Sequence, residues 1–106
     1  MTLKHISVVE TAERLNEETL VIADIRDINS FNAGHIPGAV HLSNENLAQF
    51  MTEQEYDAPI VVVCYHGISS QGAANYLIQQ GFEDVYSMDG GFEGWKLSQH
   101  DNIERS

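Results

Sequence analysis

Cys64 is the only cysteine among 106 residues, and it stands where the apolar run Ile60-Val61-Val62-Val63 gives way to Tyr65-His66-Gly67-Ile68-Ser69-Ser70. A thiolate is a strong nucleophile, but a free thiol near pKa ~8.5 is mostly protonated at neutral pH. The segment after Cys64 supplies what lowers that value. Its successive backbone N–H groups are expected to curl into an anion-binding nest around the sulfur. The helix predicted to begin at about Ser70 adds the positive end of its dipole. Gly67 permits a tight path, Gly72 is expected to let the helix start pack closely, and the Ser69 and Ser70 hydroxyls are further donors. A strand cysteine is ordinarily an inert small hydrophobe. A donor-rich loop directly after it points instead to a stabilised sulfur anion, formed without a metal or organic cofactor.

His66, two residues on, invites a reading as general base, but side chains two apart in a curled loop diverge and no acidic partner orients this one. A rim contact with substrate or partner is its expected role. His5, His35, His41 and His100 lack ligand spacing, so no metal centre is expected. The cations are Lys4, Arg14, Arg26, Lys96 and Arg105, none close to Cys64 along the chain. A phosphatase loop of the Cys-x5-Arg type needs a guanidinium six residues after the thiol to clamp an oxyanion. Ser70 stands there, which argues against that chemistry.

Strand-like and helix-like runs alternate along the chain, the pattern of an α/β domain. Strands are expected at His5-Ile6, Leu20–Ile25, Ala39–Leu42, Ile60–Cys64 and Val85–Met88. Helices are expected over Val8–Asn16, capped by Ser7, around Ser30–Asn32, through Leu47, Phe50 and Met51 after a cap at Ser43 or Asn44, and over Ser70–Gln80. Gly81 closes that last one. A final helix carries Phe92 and Trp95. The predicted architecture is a small, mostly parallel five-stranded sheet with helices on both faces. Its carboxyl edge presents Cys64, the edge at which open α/β sheets bind ligands.

Sixteen Asp and Glu against five Lys and Arg give a formal net charge of −11. Such a surface suits neither nucleic acid nor an anionic membrane; it serves solubility or a basic protein partner. The length fits one domain over residues 1–106, with the chain beyond about Gln99 expected to fray. No apolar run approaches the roughly 20 residues needed to cross a bilayer, and no secretory signal opens the chain. A cytoplasmic location is expected, where a lone thiol stays reduced. One cysteine excludes an internal disulfide or a CxxC pair.

Three segments in register resemble the signatures of the rhodanese family: Asp24-Ile25-Arg26 with Gly34-His35-Ile36-Pro37-Gly38-Ala39; Val63-Cys64-Tyr65-His66-Gly67-Ile68-Ser69-Ser70 with Gly72-Ala73-Ala74; and Asp89-Gly90-Gly91-Phe92 with Gly94-Trp95. The resemblance spans essentially the whole chain. It implies a single rhodanese-like domain and thiosulfate sulfurtransferase activity by double displacement. Cys64 would take the outer sulfur of thiosulfate as a persulfide, release sulfite, and pass the sulfur to cyanide or a thiol, a thioredoxin-like dithiol included. It implies further that the amides of Tyr65, His66, Gly67, Ile68, Ser69 and Ser70 cradle the sulfur. Asp24 and Arg26 are expected to form a buried structural pair, Gly90, Gly91 and Trp95 to serve turn and packing, and Asp89 to cap the last helix. Two positions depart from the pattern. Gln71 stands where similar chains carry Lys, and Ile68 where Asn is usual, so a weak, salt-sensitive affinity for the thiosulfate dianion is expected. A persulfide carrier and a non-catalytic interaction module are the alternatives; retention of Cys64 and its loop argues against the module. Whether the chain is a monomer or a homodimer is open at this point.

Overall fold

The computed structural model describes residues 2–106. Strands run over Lys4–Ile6 (β1), Val21–Asp24 (β2), Val40–His41 (β3), Pro59–Val63 (β4) and Asp84–Met88 (β5). All pair in parallel, in the order β1-β5-β4-β2-β3, so the sheet is wholly rather than mostly parallel. Five helices connect and cover them: Val8–Glu13 (α1), Ile28–Ala33 (α2), Leu47–Glu53 (α3), Ser69–Gln79 (α4) and Gly91–Ser98 (α5). No helix among the described residues is long and apolar enough to cross a membrane.

β4 is central and buried at every position, which is why its sequence is a continuous apolar run rather than an alternating one. Successive side chains point to opposite faces. Ile60 and Val62 join Ala74, Leu77, Phe50 and Phe82 in one core, whereas Val61 and Val63 join Ile22, Met88, Phe92 and Trp95 in the other. Cys64 follows directly after the strand. Its neighbours at the same edge are Asp24 at the end of β2 and Met88 at the end of β5. The chains leaving β2 and β4 travel in opposite directions across the sheet, to β3 and to β5, so the crevice between them opens beside the thiol.

Local signals act where they were expected. Ser7 and Glu10 form a reciprocal capping box on α1. Gly81, at φ +106°, ends α4 with Gly81 N–H donating to Ile78 and Phe82 N–H to Leu77, a Schellman closure that needs the left-handed region.

Five expectations are corrected. α1 stops at Glu13, not Asn16, because Arg14 leaves helical geometry and the next residues form turns. α3 is capped by neither Ser43 nor Asn44; its N-cap position is Asn46, whose side chain does not bond the helix amides but holds the preceding turn, accepting from Ser43 N–H at 2.7 Å and donating to His41 O at 2.8 Å. An amide side chain satisfies a donor and an acceptor at once, which a serine hydroxyl does less well at that reach. Asp89 does not cap α5, whose N-cap is Gly90; its carboxylate meets His5 Nδ1 at 2.8 Å instead. Nothing lies within 4 Å of where a Cβ would stand on Gly72, so no close packing calls for that glycine. The chain beyond Gln99 is held, not frayed. Trp95 Nε1 donates to Asn102 O at 2.8 Å, His35 and Glu104 exchange backbone hydrogen bonds at 2.8 and 2.9 Å, and Ser106 N–H donates to Asn32 O at 3.0 Å. His35 and Asn32 are remote in sequence from the residues they hold, so local composition carries no sign of them.

Candidate active site

The sulfur of Cys64 acts as the cap of α4. The N-cap position is Ile68, which has no side-chain acceptor for the first amides of the helix. Ser70 N–H, in the first turn, donates to Cys64 Sγ at 3.3 Å instead, and Gly67 N–H donates to it at 3.1 Å. Ser70 Oγ lies 3.2 Å from Sγ, accepting from the neutral thiol; on ionisation the same pair reverses, with the hydroxyl donating to the thiolate. Behind it, Ser87 Oγ on β5 lies 2.7 Å from Ser70 Oγ, and Ser70 and Ser87 are both fully buried. Burial pushes the thiol pKa up, but the Ser70 hydroxyl and the Ser70 and Gly67 amides, with the Ser69 hydroxyl nearby, more than offset it. The result is a thiol lowered from 9.0 to about 7.

Two glycines make this geometry possible. Gly67 sits at φ +86°, and a Cβ there would stand 2.9 Å from both Gly90 N and Met88 O. Gly91 sits at φ +60°, and a Cβ there would stand 2.6 Å from Cys64 O. That approach lets the first amides of α5 reach the loop: Phe92 N–H donates to Cys64 O at 2.8 Å and Glu93 N–H to Tyr65 O at 3.0 Å. Gly90 and Gly91 therefore clamp the loop from the next crossover. Trp95, fully buried, anchors the helix that carries the clamp.

Asp24 and Arg26 form a buried pair. The guanidinium donates through Nε at 3.0 Å and Nη2 at 2.8 Å to the Asp24 carboxylate, and through Nη2 to Gly34 O at 2.6 Å. The Phe92 ring stacks on it, 4.1 Å from its centroid, and the Tyr65 ring lies at 5.8 Å. This pair ties the end of β2 to the turn at Gly34 and to α5. Tyr65 leans outward, its hydroxyl bonded to the Asp27 carboxylate and to Ser30 Oγ at 3.0 Å. With the Ser30 amide and hydroxyl, the Tyr65 contact holds Asp27 down at about 2.

Of the remaining loop positions, His66 and Ser69 are exposed, and Ile68 is 76% exposed. Gln71 donates from Nε2 to Gly67 O at 2.9 Å, bracing the loop from inside α4. A lone serine inside a strand carries no motif, so nothing in the sequence marks Ser87 beyond a polar residue on the same strand face as Val85. A concavity of about 1010 Å³ runs between Ile25, Leu47 and Tyr76 and includes none of residues 64–70. The chemistry is therefore located by what converges on the sulfur, not by the size of a groove.

This arrangement can hold an anion on Sγ. Known proteins resemble the chain along nearly its whole length. Residues 7–98 match the family model Rhodanese-like domain. The chain is 62% identical over 105 residues to the thiosulfate sulfurtransferase GlpE of Pseudoalteromonas translucida, covering 99% of this chain and 100% of that one. It is 57% identical over 94 residues to the protein of the same name from Shewanella oneidensis, covering 89% and 93% respectively. Among solved structures, it superposes on the rhodanese-like domain of an Anabaena protein with a TM-score of 0.86 at 28% identity, covering 100% of this chain and 81% of that one.

Proposed function

The chain belongs to the rhodanese-like domain family, and from that membership we propose that it is a thiosulfate sulfurtransferase with Cys64 as its nucleophile. The Cys64 thiolate attacks the outer sulfur of thiosulfate. The S–S bond of thiosulfate breaks, its electron pair leaves with sulfite, and the outer sulfur remains on Cys64 as a persulfide. In the second half, cyanide or a thiolate attacks that terminal sulfur, and the electron pair of the Cys64 S–S bond returns to Sγ. The cycle is redox-neutral and needs no cofactor to balance.

The observation that carries the roles is the convergence of Gly67 N–H, Ser70 N–H and Ser70 Oγ on the sulfur of the chain's one cysteine. A thiol lowered to about 7 is roughly half ionised at neutral pH and remains nucleophilic. The same donors stabilise charge that moves onto the attacked sulfur. Asp24, Arg26, Gly90, Gly91 and Trp95 act through the loop they hold.

Intact-mass measurement of the reduced protein after incubation with thiosulfate tests this directly. One added sulfur, removed by cyanide and absent in Cys64→Ser, is expected. A folded protein that takes up no sulfur would exclude thiosulfate as donor and favour a persulfide carrier fed by another protein.

A further inference from the structure

Three of the chain's five cations line one small groove beside the active loop. Arg26, Lys96 and Arg105 surround a concavity of about 240 Å³ whose wall includes Tyr65, the residue after the nucleophile, and Phe92, whose amide holds Cys64 O. In a chain of net charge −11 this concentration is local and against the general trend. The three cations differ in how their charge is used. Arg26 is neutralised by the buried Asp24 carboxylate. Lys96 is half exposed and pairs with the equally exposed Glu93 at 2.9 Å, an interaction weak enough to exchange for a better anion. Arg105 has no ion-pair partner among the described residues. It is nonetheless placed, because its neighbours on both sides are tied down: Glu104 bonds with His35 and Ser106 with Asn32.

We propose that this groove binds the carboxylate of the thiol that accepts sulfur from Cys64, selecting low-molecular-mass or peptide thiols that carry an acidic group. The inference rests on the sulfurtransferase reading and adds the acceptor class to it. Arg105 is the fork that grips the carboxylate, and Lys96 is the second charge. The apolar body of the acceptor lies against Phe92 and Tyr65, leaving its thiol directed toward the loop. The step is balanced as in the general cycle: the acceptor thiolate forms a bond to the terminal persulfide sulfur, the bond from that sulfur to Sγ breaks, and Sγ leaves as the thiolate. The acceptor departs as a persulfide.

The test separates this from the parent reading. Protein is first loaded with thiosulfate and the added sulfur verified by intact mass. Its discharge is then timed with N-acetylcysteine and with N-acetylcysteine amide at equal thiolate concentration. The quantity read is the ratio of the two second-order rate constants. A ratio of about tenfold in favour of the carboxylate is expected, the size of one charge-assisted contact. It should collapse toward one in Arg105→Gln, fall in part in Lys96→Gln, and survive in Lys4→Gln, which removes the same charge elsewhere. A ratio near one in the parent protein, or one lowered equally by Lys4→Gln, overturns the groove and leaves the sulfurtransferase reading standing. A protein that cannot be loaded overturns both.

Discussion

The hydroxyl oxygens of Ser70 and Ser87 lie 2.7 Å apart in the interior, and only that of Ser70 also touches the Cys64 sulfur. For Ser70 to donate to a thiolate, its oxygen must accept from Ser87, so the β5 hydroxyl sets the direction of the bond that matters. Ser87→Ala should lower the ionisation constant of the Cys64 thiol by about two- to twelvefold, the worth of one net hydrogen bond of ~0.5–1.5 kcal/mol. The pH midpoint of iodoacetamide alkylation measures it, and a midpoint equal to that of the parent protein counts against the relay. Ser87→Thr should restore most of the effect.

A thiol lowered from 9.0 to about 7 makes persulfide formation pH-dependent. Below about 7 the rate should fall close to tenfold per pH unit as the sulfur protonates, and above it should level off. The linkage to stability has a definite sign. The folded value lies below the unfolded one, so the thiolate's contribution is fully present above about 9 and is lost as pH falls through about 7. Urea midpoints of the parent protein and Cys64→Ala, compared between pH 6 and 9, should diverge as pH rises if this holds.

Gly91 and Gly72 should respond oppositely to alanine. At Gly91 the new Cβ meets Cys64 O at 2.6 Å in a left-handed conformation, so the clamp must move. A loss of about 1–3 kcal/mol in stability is expected, with persulfide formation falling on the order of a hundredfold. At Gly72, exposed within α4 with open space around it, alanine should stabilise by about 0.5–1 kcal/mol. Thermal unfolding of both variants decides; a stable, fully active Gly91→Ala would remove the clamp from the mechanism.

Breaking the Asp24–Arg26 pair from one side leaves a charge with nowhere to go. Both side chains are under 5% exposed, and truncating one partner of such a pair typically costs about 3–5 kcal/mol. Asp24→Asn is therefore expected to lower the urea midpoint sharply before any effect on sulfur chemistry is seen. Equal stability with lost activity would instead assign the pair to substrate.

Gln71 and the net charge of −11 both bear on thiosulfate affinity. The dianion approaches a like-charged surface, so KM should fall as salt screens the field, by a few fold between 10 and 200 mM, a range over which the screening length shrinks from about 30 Å to below 10 Å. Gln71→Lys keeps a donor for Gly67 O and adds a cation near the loop, and should lower KM several-fold. Values insensitive to both changes would show that thiosulfate is held by the loop amides alone.

What was legible in the sequence is what short-range chemistry decides. The buried run Ile60–Val63, the capping pair Ser7 and Glu10 and the closure at Gly81 act within a few residues, so composition and spacing reveal them. Cys64 and its loop were readable for the same reason, since nucleophile, glycine and serines are contiguous. Only the tertiary structure decided which groups meet that loop from elsewhere. Ser87 reaches Ser70 across 17 positions, Gly91 admits α5 to the carbonyls of Cys64 and Tyr65, and Arg105 arrives beside Tyr65 because a backbone bridge from His35 holds the last residues. Parallel pairing brings strand ends that are distant in sequence to one edge, and it is there, through contacts with no local signature, that the environment of the sulfur is set.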